Sequence, residues 1–353
     1  MYKKFFMGIA AMAAMTLVSC SSDDLNSLSD NSSKNEAISF DGYLGRSAVS
    51  VNGSRGSELD KTALQGENGG FGVFGNYSSE GTTTAYGDNW FKNQKVTYNT
   101  SAWTYEPVKY WLPQGHIDFL AYAPYDSQYD NQPITKDNQK LDFTVSSTIT
   151  AQKDLLWANA TNKTMADKTV TFTFKHALSR LGYTVKLNKD YKNTTITLTK
   201  ITLAGSSDGT KEAFYTTGTI DLSKTSSTGL WIISTPNAKQ KFDWFSGTQE
   251  LATTEYKNSD ANYLFVIPQK FSAPATDNLY VIVEYTIEGY NGVTTSMKNT
   301  VYQKLEKNFE QGNAYTINLT IGLTPIEFDA AVTDWEPTNG TPIDINSWNN
   351  RIK

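Results

Sequence analysis

Cysteine is almost absent from this sequence: one residue, Cys20, in 353. A single thiol cannot close an internal disulfide, so the chain must hold itself together by burial alone. Histidine is nearly as scarce, with only His116 and His176. A zinc site draws three or four ligands, chiefly nitrogen and sulfur, and this inventory does not supply them. A Ser-His-Asp triad would have to use one of the two histidines. His176 follows an alternating apolar run and precedes Ala177-Leu178-Ser179-Arg180, the setting of a structural histidine. A basic excess is also missing: 31 basic side chains face 36 acidic ones, for a net charge of −5. That balance argues against a nucleic-acid partner, which calls for a basic patch. The one long apolar run, Phe5 to Val18, is shorter than the roughly 20 residues that span a bilayer.

That run has the form of an export signal. Lys3 and Lys4 precede it, and it ends at Leu17-Val18-Ser19-Cys20. The string resembles the bacterial lipobox, with an aliphatic residue three before the cysteine and a small one beside it. Residues 1–19 are therefore expected to be a lipoprotein signal peptide, excluded from the fold, with Cys20 lipidated. One acyl chain binds membranes only marginally; the two or three chains of a bacterial lipoprotein give a lasting anchor. Ser21-Ser22-Asp23-Asp24 resembles an acidic tag for the outer leaflet of the outer membrane, and is equally a solvated linker. Residues 20–37 are rich in Ser, Asp and Asn and read as a flexible tether.

From Ile38 onward the composition favours strands. Tyr (20) and Phe (17) are abundant, and both fit a pleated, half-buried surface. Val170, Phe172 and Phe174 alternate with threonines, and Tyr315, Ile317, Leu319 and Ile321 alternate with Thr, Asn and Gly. Gly, Asn, Asp and Ser clusters at 69–70, 206–209, 226–229 and 289–292 punctuate these runs. The expectation is an all-β chain of sandwiches, with a domain boundary near 186–195: one domain over 38–188, a second over 189–335, and a tail over 336–353. Helix is expected only as a turn or two, at 151–157 and 300–311.

Several patterns have a chemical reading and a plainer one. Gly70-Phe71-Gly72-Val73-Phe74-Gly75 matches G-x-G-x-x-G. A dinucleotide site needs a helix N-terminus after it, and residues 76–84 are turn formers, so a glycine-rich strand is the better reading. Asp126 to Asp130 is the densest carboxylate cluster, and calcium needs only oxygens; a solvated loop explains it as well. No local pattern supports the paired carboxylates of a glycosidase. Trp90, Trp103, Trp111, Trp231 and Trp244 could stack on sugars, although tryptophans of β-sandwiches mostly pack in the core or rim. No residue is assigned to catalysis, a metal or a cofactor.

A set of blocks in order along the chain resembles the Bacteroidetes fimbrillins: 110–113 followed by 117–125, then 154–158, 170–181, 263–269, 312–319 and 326–335. The resemblance implies two transthyretin-like β-sandwich domains in tandem. It implies a subunit or anchor of a type V pilus at the cell surface, partnered with other pilus subunits. It also implies that an Arg-specific protease removes the N-terminal segment with its first strand, and that a C-terminal strand of a neighbour fills the vacated groove.

The residues add their own support. Ile38-Ser-Phe40-Asp-Gly42-Tyr-Leu44 and Ile326-Glu-Phe328-Asp-Ala330-Ala-Val332 both place aliphatic, aromatic, small and aliphatic side chains on one face. Strand addition needs main-chain pairing and pockets at alternate positions, so either segment could occupy one groove. Arg46, followed by two small residues, and Arg55, in a glycine-containing loop, are the candidate cleavage sites. Ile343 and Ile345, in the tail with Trp348 and Ile352, form a second candidate donor strand. The rival readings are a non-cleaved pilus anchor and a lipid-anchored surface protein that binds glycans.

Overall fold

The structure is a computed structural model that describes residues 36–43, 59, 61–66, 69–79, 90–132, 134–135, 137–233, 238–292 and 294–323, with the backbone alone at 44, 87–89, 329–330, 332–334, 341–345 and 349–350. The strands are β1 (Ser39–Leu44), β2 (Phe71–Ser78), β3 (Gly87–Asn99), β4 (Ala102–Thr104), β5 (His116–Ala123), β6 (Lys140–Thr144), β7 (Leu156–Lys163), β8 (Thr169–His176), β9 (Ser179–Leu187) and β10 (Thr195–Ala204). They continue as β11 (Phe214–Tyr215), β12 (Thr217–Asp221), β13 (Trp231–Ile232), β14 (Lys239–Gln240), β15 (Phe242–Glu250), β16 (Tyr256–Lys257), β17 (Leu264–Val266), β18 (Tyr280–Glu288), β19 (Met297–Lys304) and β20 (Asn313–Ile321). Four short ones follow: β21 (Asp329–Ala330), β22 (Val332–Asp334), β23 (Thr341–Ile345) and β24 (Asn349–Asn350). One short helix, Lys61–Gln65, and a few 3-10 turns complete the described elements, so the all-β expectation holds. No described helix is long and apolar enough to cross a membrane.

The N-terminal half forms one seven-stranded sheet in the order β1-β8-β7-β5-β2-β3-β4. Its two outer strands, β1 and β4, lie next to each other, so the sheet rolls until its ends meet. Inside the roll is an aromatic core built from Phe40, Phe71, Phe91, Trp103, Phe119, Phe172 and Phe174. The outward side chains of the same strands do not all meet water. Phe74, Leu120, Tyr122 and Trp157 join a second, larger core with the C-terminal strands. Burial of both faces explains why 119–123 reads as a near-continuous apolar run.

The larger core lies under β9 and β20, paired in parallel, and the sheet β15-β10-β18-β19-β24. β9 precedes residue 188 and pairs with β20, while β6 pairs with β12. Hydrogen bonding therefore ties segments 38–188 and 189–335 together.

Two expectations are corrected or refined. Residues 300–304 are strand, not helix: Val301 is buried and faces Val283 across the β18–β19 ladder. A β-branched and aromatic run beside an open strand edge goes into the sheet. The glycine motif 70–75 lies at and within β2, and its glycines serve packing. A Cβ on Gly72 would overlap the Tyr122 ring, and one on Gly75 would come 2.8 Å from Phe91.

Gly72→Ala is therefore expected to destabilise the fold by about 1–3 kcal/mol through overpacking. Gly247→Ala, on the exposed part of β15 with its nearest neighbour at 3.4 Å, should stay within about 0.5 kcal/mol of the parent. Urea titration of both variants checks the contrast; equal losses would contradict it.

Candidate functional site: the groove under the first strand

β1 is an edge strand. One side pairs in parallel with β8, from Ser39 opposite Thr169 to Leu44 opposite Phe174. Among the described residues, the other side is hydrogen-bonded through its main chain at its start, where the Ile38 amide donates to the Lys109 carbonyl (2.8 Å) and the Trp111 amide to the Glu36 carbonyl (2.9 Å). The Tyr105 hydroxyl donates to the Ile38 carbonyl at 2.7 Å. Burial pushes the Tyr105 phenol above its ordinary pKa, against the lowering effect of its bond to Lys109, so it remains a neutral donor.

Alternation decides which side chains enter the groove. Ser39, Asp41 and Tyr43 are exposed, and Ile38, Phe40 and Gly42 are buried. Phe40 is 4% exposed. Its ring centroid lies 5.2 Å from Tyr105, 5.3 Å from Phe91, 5.4 Å from Phe119 and 5.8 Å from Phe172. Edge-to-face and tilted pairs of this kind contribute beyond their buried area. At Gly42 the groove is tight: a Cβ would lie 3.1 Å from Phe71 and 3.3 Å from Phe174. An alanine fits there if Phe71 gives by a few tenths of an ångström, and larger side chains do not.

Among the donor residues, Val332 lies in β22, which pairs antiparallel with the start of β20 at Asn313 and Ala314. Ile343 and Ile345 lie in β23, parallel to β20, with Ile343 opposite Ile317. In this chain both C-terminal segments thus lie along the open edge of β20, distant in pairing from β1 and β8. Cys20, Arg46, Arg55, Ile326 and Phe328 fall outside the described residues, and only the backbone of Leu44 is described. Tyr105 and the 109–111 segment carry no periodic signal that would mark them as groove residues.

The other candidates resolve into structural roles. His176 is buried with its Nδ1 2.9 Å from Asp154 Oδ2. Asp126 is paired with Lys153 at 2.6 Å. Burial pushes its carboxyl up, but Lys153 and the Gln128 amide outweigh that and hold it below the ordinary value. Asp130 accepts from Tyr125 and Asn93. Of the five tryptophans, Trp103, Trp111 and Trp244 are buried, and Trp90 and Trp231 keep partial exposure.

The first strand thus lies at a sheet edge over an aromatic groove, in an all-β chain of two fused cores. The sequence profile of the fimbrillin-like family matches residues 61–335, and the chain belongs to that family. A crystal structure of a fimbrial protein from Bacteroides vulgatus ATCC 8482 shares its fold, with a TM-score of 0.56 and 21% identity over 81% of this chain and 96% of that one. A candidate cell adhesion protein from Bacteroides uniformis ATCC 8492 matches with a TM-score of 0.45 and 19% identity, over 82% and 95%. The C-terminally truncated tip fimbrial protein Mfa3 of Porphyromonas gingivalis matches with a TM-score of 0.33 and 10% identity, over 74% and 92%. No curated protein matches the chain.

Phe40→Ala is expected to cost about 3–5 kcal/mol, the range for emptying a buried aromatic site. Tyr43→Ala, one register outward and 46% exposed, should cost less than about 0.5 kcal/mol. Chemical denaturation separates the two; a mild Phe40→Ala would mean the groove collapses without its occupant.

Proposed function

We propose that this chain is a structural and adhesive pilus subunit, exported as a lipoprotein through Cys20 and assembled at the outer membrane by strand replacement. Cleavage at Arg46 or Arg55 frees the segment that carries Ile38, Phe40 and Leu44. A neighbour's C-terminal segment, Ile326 to Val332 or the tail with Ile343 and Ile345, then fills the groove. In this reading residues 38–188 receive the strand, and residues 189–335 with the tail supply it.

The observation that carries the reading is the setting of β1. It is an edge strand whose main chain pairs fully on one side only, and its binding energy lies in a few side chains. Burying Ile38 and Phe40 is worth roughly 3–6 kcal/mol together, enough to hold a strand and within reach of a matching substitute. The tight position at Gly42 is matched by the small Ala330 in the segment 326–332. The proposed equivalence therefore extends to the groove's most restrictive pocket.

The distribution of arginine also fits. The chain has four, Arg46, Arg55, Arg180 and Arg351. Arg180 is 8% exposed, with its guanidinium 4.4 Å over the Tyr263 ring. An arginine-specific protease would therefore meet a poor target in the body of the fold and two targets just after β1.

N-terminal sequencing of assembled, surface-extracted protein tests the proposal. The expected first residue is Ser47 or Gly56, and Arg46→Ala with Arg55→Ala should abolish polymers while leaving a folded monomer. Polymers whose subunits still begin at lipidated Cys20 would overturn it.

A further inference from the structure

A second concave site lies on the C-terminal half, remote in sequence from the β1 groove. It is an open cleft of about 810 Å³, within the roughly 300–1,000 Å³ range of small-molecule sites. Five chain segments converge on it: Tyr215, the stretch 227–231, the stretch 268–270, the stretch 275–277 and the stretch 308–313.

Its aromatic members are held in place. The Trp231 indole nitrogen donates to the Ala177 carbonyl at 2.6 Å. Its six-membered ring packs on Gly218, where a Cβ would come within 3.0 Å. Trp231 keeps part of its surface open while it lines the cleft. Tyr215 is fixed by Lys239, 5.0 Å from the ring centroid, and by a 3.4 Å contact from its hydroxyl to Asp277.

The polar members are preorganised too. One Asp277 oxygen pairs with Lys239, and the other accepts from Gln269 Nε2 at 3.2 Å. Gln269 is buried, and it also donates to the Ala213 carbonyl at 2.9 Å. Gln311 donates to the His176 carbonyl at 3.0 Å, while its side-chain oxygen has no hydrogen-bond partner. The charges nearly cancel: Lys270 and Glu310 are the other ionic groups in the lining, and Lys239 neutralises Asp277.

We propose that this cleft binds a neutral oligosaccharide. Partly open aromatic faces carry negative quadrupole density, which attracts the polarised C–H face of a pyranose. The Asp277 carboxylate and the Gln269 and Gln311 amides, each held by its own partners, suit sugar hydroxyls because their order is already established by the fold. A nearly neutral lining disfavours a nucleotide or an anionic polymer. An open rather than enclosed cleft admits part of a chain. None of the named strand-exchange residues lines the cleft, although Asn313 of its lining pairs with Asp334 of β22; the monomer, with β22 in place, is the form to test, and failure here leaves the pilus proposal standing.

The test is an oligosaccharide array probed with the full chain in detergent, followed by calorimetric titration of the strongest binder among malto-, cello- and mannotriose and N-acetyllactosamine. Binding is expected to weaken at least about tenfold in Trp231→Ala, as for loss of a central aromatic contact. Because Trp231 also anchors Ala177, a second variant, Thr276→Arg, keeps the fold decisive: Thr276 is exposed at the cleft, and arginine there obstructs it. The same loss in folded Thr276→Arg supports the site. No binding by the parent chain, unchanged binding in Thr276→Arg, or binding of peptides only would overturn it.

Discussion

Phe40 sits where the two ends of a rolled sheet meet. Its ring touches residues from β3, β5 and β8 and the segment after β4, so one side chain links four parts of the N-terminal core. The main chain around it is much less committed. β1 has a full partner on one side and two amide contacts at its start on the other. A strand whose side chains are central and whose backbone is peripheral combines strong retention with few hydrogen bonds to exchange. Edge strands are usually blunted to avoid pairing with other chains; in the proposed function the same exposure would serve assembly.

The two cores have distinct parts in this account. The N-terminal sheet faces its own aromatic core on one side and the larger core on the other. Losing β1 empties part of the smaller core, while the second face of β2, β5 and β7 stays packed against the C-terminal strands. If β1 is cleaved and replaced as proposed, that shared sheet would hold the subunit together in the interval. The C-terminal segments lie meanwhile on the open edge of β20, so an intact chain keeps them paired instead of leaving bare strands in solution.

Much of this was legible in the sequence, because period two is a local signal. The alternation in β8 (169–176) matches its burial residue by residue, and the inward set of β1 follows from the same rule. The histidine and the glycine motif were also readable, since each depends on its immediate neighbours. The rolling of the sheet was not. It rests on β1 meeting β8 about 130 positions away and on Tyr105 reaching Ile38, contacts with no periodic trace. The strand at 297–304 was obscured although its partner β18 ends just before it, because only Val301 in it is fully buried and the alternation is weak. The tryptophans illustrate the same limit: of the five candidates among eight, only tertiary packing separates buried Trp103, Trp111 and Trp244 from the partly open Trp90 and Trp231.

The central claim is that the groove under β1 accepts an equivalent strand without the domain unfolding. Its most direct measurement is exchange on the full chain after cleavage behind β1, with an isotopically labelled peptide spanning residues 326–334 in excess and mass spectrometry under native conditions as the readout. The account predicts that the labelled peptide replaces the cleaved segment faster than global unfolding occurs, and that replacing its Phe328 with Ala abolishes the exchange. If the segment leaves only at the unfolding rate, or a scrambled peptide enters equally well, the account is wrong.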